Sequence, residues 1–383
     1  ARNWIALLFF GLICFCPGMF AQQLITKDTL EAKQLLTEAK TLLGQGQLEG
    51  VEVKLNQASA LVERALGKEN ALYADVLHQL GRFQFSNNDV HAGIAYTQQA
   101  LDIRLKVFGY YHLDVAQSYF NLGNAYGGWQ IDFEKVVEYR QKTWEIRKKL
   151  LGENHQDVIN TWKALLFAQG INYVKKAEKA QKNKNWDLAI KLLLQADSVF
   201  LIQKNDEMVF HVKTTLGIYH HDAGKFQKSI DACQAALSYV EIIGQKDSLE
   251  EAALLNTYGS SLLELNRLDE SEKAYFRALA IKTQLYGPGA AETGAQLSNL
   301  ATVYLRRGQF KKAIQYSKEG IAVREKGAVP PEELMNAYIH LAFFYNTAGI
   351  QHEALALYQK AEQILAKNPI KHQDLAGAVY DGL

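Results

Sequence analysis

A large residue followed by a small one recurs along the chain at Leu80-Gly81, Leu122-Gly123, Leu216-Gly217, Tyr258-Gly259, Leu300-Ala301 and Leu341-Ala342. The small residues step by 42 from 81 to 123, from 217 to 259 and from 259 to 301, and by 41 from 301 to 342. A Gly or Asn follows each of the later marks at Gly224, Asn266, Gly308 and Gly349, with Phe226, Leu268 and Phe310 two positions beyond it. Further on, small residues return at Ala100, Ala236, Ala278, Gly320 and Ala361. This rhythm predicts pairs of helices. The first small residue lets helix A approach helix B, and the Gly or Asn accepts the left-handed backbone of the turn between them. The apolar residue after the turn fills the gap, and the later small residue admits the next pair. One pair exposes apolar surface on both sides, so the pairs must stack on one another.

The expected fold class is therefore all-α, an α-α superhelix of about eight helix-pair repeats. The first pair is weakly marked, with a turn at Gly46-Gln47-Leu48 and Leu55 and Ala58 on its helix B. One interval departs from the period: Gly123 to Gly217 holds ten residues more than two repeats. Trp186, Ala189, Leu193 and Ala196 mark a helix B whose small partner is Ala177, yet the loop at His155–Val158 opens helix A earlier, with Trp162 in its large slot. Helix A thus opens about eleven residues early, close to three helical turns. This predicts one extended helix A from about Val158 to Lys182; the alternative is a break at Gly170 between two sub-arrays. The divisions expected are 1–21, 22–156, 157–200 (irregular, with the extended helix), 201–371, and 372–383, the start of a further repeat.

These marks resemble the tetratricopeptide repeat from about residue 30 onward. The long period and the joining loops Phe108-Gly109-Tyr-Tyr-His112-Leu-Asp114-Val115 and Leu151-Gly152-Glu-Asn-His155-Gln-Asp157-Val158 are similar to the kinesin-light-chain subtype. The usual Trp of helix A is replaced by Leu77, Tyr119, Leu255, Leu297 and Tyr338. The resemblance implies a solenoid of tetratricopeptide repeats that binds a protein or an extended peptide in a concave groove lined by the A helices. Carried over position by position, the implied contacts are His78, Arg82 and Phe85; Phe120, Asn121 and Asn124; and Asn256, Ser260, Ser298, Asn299, Thr302, Arg306, His340, Phe343 and Asn346. An Asn amide can both donate to and accept from a peptide backbone. The same positions also read as solvated polar surface. The clamp that some such proteins use for acidic chaperone C-termini needs a Lys where Phe120 stands, so no such binding is expected.

Candidate chemistry is thin. His220-His221-Asp222 is the densest polar cluster, but neighbouring helical side chains diverge and a metal needs three or four converging ligands. His220 is expected in the packing slot of Tyr304 and Tyr345, with His221 toward the groove. His112, His155 and His372 recur with Asp114, Asp157 and Asp374, and the Asp is placed to cap the following helix. Cys233 is expected as a packing residue, like Tyr275 and Tyr358. No phosphate loop, paired-Cys zinc motif or nucleophile elbow is present. No enzyme activity, cofactor or metal is expected of this segment.

The 383 residues, 48% of them hydrophobic, suffice for a large core, and only 5 are Pro. The start is different in kind. Only Arg2 is charged before Lys27, and the apolar run Trp4–Cys16 leads to Pro17-Gly18 and Met19-Phe20-Ala21. This predicts a secretory signal peptide cut after Ala21; the alternative is an uncleaved anchor, for which the run is short. The expected location is thus outside the cytoplasm (periplasm, cell envelope or medium) of a bacterium, with no membrane insertion after cleavage. Cys233 would then be the one cysteine left. The formal charge of +1 falls to a balance of 41 basic and 41 acidic residues once Arg2 is gone. That balance gives no electrostatic case for nucleic acid. Self-association stays open. The incomplete repeat at Tyr380–Leu383 predicts that the native chain continues, and a second reading follows: a sensing or regulatory arm of a longer enzyme, a CHAT-type protease or a sensor kinase.

Overall fold

The computed structural model describes the backbone of residues 17–327 and 329–367, and side chains from residue 27. Most of the expected leader and all of 372–383, with His372 and Asp374, lie outside the described residues. Two compact units are present, Ala1–Asn172 and Tyr173–Leu383. Every regular element among the described residues is helical.

Unit 1 holds three antiparallel pairs: α1 (Pro17–Gly44) with α2 (Val51–Leu66), α3 (Ala71–Ser86) with α4 (Val90–Phe108), and α5 (Leu113–Gly128) with α6 (Phe133–Leu151). The first part of α7 (Gln156–Lys182) follows, and α7 runs through Gly170 without a break. Unit 2 holds the rest of α7, then α8 (Trp186–Gln203) packed on α9 (Asp206–Asp222). Its pairs are α9 with α10 (Phe226–Leu237), α11 (Leu249–Glu264) with α12 (Leu268–Tyr286), α13 (Gly294–Arg306) with α14 (Phe310–Lys326), and α15 (Pro331–Thr347) with α16 (Gln351–Lys367). A single 3-10 turn, Ala291–Thr293, leads into α13. No described helix is long and apolar enough to cross a membrane.

The pairs close as the small residues require. A Cβ on Gly217 would lie 2.6 Å from Cys233 Sγ, and one on Gly259 would lie 2.8 Å from the Tyr275 ring. Leu77, Tyr119, Leu255, Leu297 and Tyr338 are all buried where a Trp is usual. Asn266 at φ 59° and Gly308 at φ 72° turn the chain in the left-handed region. Burial pushes the Cys233 thiol up to about 12, so it stays protonated and unreactive at neutral pH.

Three expectations change in detail. At the joining loops the cap is the His, not the Asp. His112 has extended backbone and its Nδ1 accepts from the Asp114 amide at 3.2 Å; His155 Nδ1 accepts from the Asp157 amide at 3.1 Å. The Asp sits inside the first turn, where its charge faces the positive helix end. Trp162 meets Trp144 of α6, ring centroids 4.9 Å apart, but stays 39% exposed rather than filling a buried slot. His220 is buried as expected, and burial holds its pKa below the usual value. His221 instead bonds Ser261 Oγ on α11 at 2.9 Å.

Candidate functional site

The A helices of unit 1 are α1, α3, α5 and the first part of α7, and the candidate residues lie on α3 and α5. Their polar side chains touch from one helix to the next. Asn121 Nδ2 donates to His78 Nε2 at 3.2 Å, and Gln117 Nε2 donates to Asn121 Oδ1 at 2.9 Å. The second bond sets the Asn121 amide so that its nitrogen faces the ring. His78 is buried, and burial, aided by Arg104 and Arg82, lowers its pKa to about 3. It is neutral at physiological pH. Arg82 is exposed and donates to Gln79 on its own helix at 3.0 Å. Asn124 is exposed. Phe120 is half-buried, with the Arg147 guanidinium 5.0 Å from its ring centre. Phe85 lies elsewhere: its ring packs over Gly93 of α4 and stacks on Trp129 at 5.7 Å.

Unit 2 repeats the theme on α11, α13 and α15. Asn299 Nδ2 donates to Asn256 Oδ1 at 2.7 Å. This pair occupies the same two places in the repeat as Asn121 and His78. Ser260 shares a hydrogen bond with the Tyr275 hydroxyl at 2.9 Å, and Ser298 Oγ accepts from Arg324 at 3.1 Å. Thr302 donates to the Ser298 carbonyl, and Arg306 reaches back to the Leu263 carbonyl and the Glu264 carboxylate. His340, Phe343 and Asn346 are exposed.

His78, Asn121, Asn256, Asn299 and Arg306 therefore serve first to tie neighbouring A helices. Arg82, Asn124, Arg306, His340, Phe343 and Asn346 are exposed and keep surface for a ligand. Asn121→Ala should remove the partners of His78 Nε2 and Gln117 Nε2 and lower stability by about 1–2 kcal/mol, read as a fall in the urea midpoint. A midpoint equal to that of the unaltered protein would show that the bond contributes nothing.

Residue-by-residue transfer missed the basic residues that reach the A helices from helix B. Arg104, Arg147, Lys282 and Arg324 hold one place in the repeat; the first three bond the A helix of the next repeat or the turn leading into it, and Arg324 bonds Ser298 on the A helix of its own pair. The signal was in the sequence as a fourth periodic mark, but a lone basic residue on helix B reads as solvated until its partners are seen. Among the described residues no group of three or more His, Cys, Asp or Glu could hold a metal ion.

Comparison with known proteins agrees with this architecture. A tetratricopeptide repeat profile matches residues 209–284 and 250–326, and a second matches 115–157. The chain is 25% identical over 165 residues to kinesin light chain-related protein 3 of Arabidopsis thaliana, an alignment covering 42% of this chain and 25% of that protein. It spans about a quarter of the length of the curated relatives it matches. Among solved structures, BtubC (BKLC) from P. vanneervenii aligns with a TM-score of 0.46 at 19% identity, over 63% of this chain and 93% of that one. A STAND-family protein with a tetratricopeptide repeat sensor, from Pyrococcus horikoshii, aligns at 0.48 and 18% identity, over 92% of this chain and 54% of that one. Residues 115–157 and 209–326 are thus tetratricopeptide repeats, and the repeats are kinesin-light-chain-like.

Proposed function

We propose that this protein is a non-catalytic scaffold whose A-helix faces hold an extended segment of a partner protein. A tetratricopeptide-repeat scaffold serves protein interaction in general. The single observation that carries the narrower reading is the recurrence of amide and hydroxyl side chains at fixed places on successive A helices. Some are tied across helices and so held in position, while Asn124 and Asn346 stay exposed beside them. Fixed donors and acceptors spaced by a repeat suit an extended backbone, which offers the same groups at regular intervals.

The test is capture of partners from the native cell with paired surface variants, Arg82→Ala with Asn124→Ala and Phe343→Ala with Asn346→Ala. These side chains are exposed, so the fold should survive. Loss of a specific partner by about tenfold or more is expected; identical capture by both variants would remove the groove reading. We also propose export, on the apolar run Trp4–Cys16 before Met19-Phe20-Ala21. N-terminal sequencing of the mature protein should begin at Gln22, and a retained apolar run would overturn it.

A further inference from the structure

The most informative contrast lies within unit 1, between two arginines at one place in successive repeats. Arg104 of α4 is buried between two A helices. It donates to the Asp75 carboxylate of α3 at 2.6 Å, and to Ser118 Oγ at 2.8 Å and the Asp114 carbonyl at 3.2 Å on α5. Arg147 of α6 has the same role one repeat later. It donates to Gln117 Oε1 of α5 at 3.3 Å and to Thr161 Oγ1 of α7 at 2.8 Å. Gln117 stands where the previous repeat has Asp75, and Thr161 where it has Ser118. The geometry is kept while the neutralising carboxylate is gone.

Among the described residues, Arg147 is thus a partly buried cation without an ion pair. Burial lowers its pKa from the ordinary Arg value, and the acid whose field it feels is Asp157, which faces His155 at 3.8 Å. A second arginine on the same face of α6 shares the condition: Arg140 donates to the Ala164 carbonyl at 2.8 Å and has no carboxylate partner among the described residues. Around Arg147 lie the Phe120 ring and Gln117, which also bonds Asn121, and all three are still partly exposed. Exposed Arg82 adds a further positive charge on α3. A half-desolvated guanidinium over an aromatic ring, with amide groups beside it, is built to receive a carboxylate in a charge-assisted hydrogen bond.

We infer that Arg147, with Phe120 and Gln117, forms a subsite for an acidic side chain of the bound segment, so that the partner carries Asp or Glu where it crosses from α5 to α7. This rests on the groove reading above and narrows it to acidic partners. It differs from the chaperone-type clamp excluded by Phe120, because the cation comes from helix B and the group recognised is a side chain inside the segment rather than a free C-terminus.

The test uses the full chain and a fluorescein-labelled, C-terminally amidated peptide alternating Glu with Ser, beside the same peptide with Gln for Glu. Fluorescence anisotropy should show the Glu peptide binding about tenfold tighter than the Gln peptide, with the gap shrinking at high salt. Gln117→Glu supplies Arg147 with an internal carboxylate of nearly unchanged shape. It gives up the donor to Asn121 Oδ1, so its melting temperature is read beside the binding, and it should remove the preference for Glu. Arg147→Gln should remove it as well, but can also loosen the helix contact, so Gln117→Glu is the deciding variant. Equal binding of the Glu peptide by Gln117→Glu and the unaltered protein, equal binding of the two peptides, or binding of neither would each overturn the subsite. If both peptides bind equally and both weaken with Arg82→Ala and Asn124→Ala, the groove stands and only its acid preference falls.

Discussion

Gly81→Val should destabilise the unit 1 repeats by about 3 kcal/mol. A Cβ at Gly81 would lie 2.6 Å from Thr97 Oγ1 and 3.1 Å from the Gly93 carbonyl oxygen. Thr97 is buried and its hydroxyl already donates to that carbonyl at 2.8 Å, so it has nowhere to swing. The remaining escape is separation of α3 from α4, which would open the apolar cluster of Leu77, Leu80, Phe83 and Ala100. Val offers a somewhat better helix propensity than Gly, a gain of a few tenths of a kcal/mol that the clash outweighs. Gly128, where an added Cβ meets nothing within 4 Å, is the control. Urea unfolding followed by helical circular dichroism measures both. A Gly81→Val protein within about 0.5 kcal/mol of the parent would mean that the small residue is not needed for helix approach, and the reason offered for the repeat's first mark would fail.

Acidification should weaken the same unit through His78. An unfolded chain takes up a proton at this residue near 6.5, whereas the folded chain resists until about 3, because burial and the nearby Arg104 and Arg82 disfavour the imidazolium. The stability associated with neutral His78 is complete above pH 6.5 and is lost as the pH falls toward 3. In that window the slope attributable to this group approaches about 1.4 kcal/mol per pH unit. The substitution that isolates it is His78→Asn, since unit 2 carries Asn256 in the same place, bonded to Asn299 as His78 is to Asn121. The variant should keep the cross-helix bond and lose the acid sensitivity. Stability measured at intervals from pH 7 to pH 4 checks this (a range chosen to stay inside the titration window). Parallel profiles for the two proteins would place the acid-sensitive group elsewhere.

The two expectations draw on different kinds of information. Gly81 was legible because its meaning is local and repeated: a small residue at a fixed distance before a turn. His78 was legible as a position on helix A, but its burial was not, and neither was its partner forty-three residues away. Phe85 illustrates the same gap. Its place in the repeat suggested the A-helix face, yet Gly93 leaves a hollow on α4 that its ring fills. At the joining loops, His and Asp were both read, and only the backbone angles decide that the His nitrogen takes the capping bond. Arg147 is the clearest case. Its basic character is plain in the sequence, but its lack of a counter-charge emerges only when its contacts are set against those of Arg104.

The sequence by itself determined the helix pairs, their turns and the order in which surfaces must be buried. These follow from the spacing of large, small and left-handed-tolerant residues, and such spacing acts over a few turns of chain. Tertiary structure alone decided which polar side chains spend their hydrogen bonds between neighbouring A helices and which are left for a partner. That choice depends on side-chain reach and on charges brought together from different repeats, where an acid exchanged for an amide leaves the shape alone and changes the field.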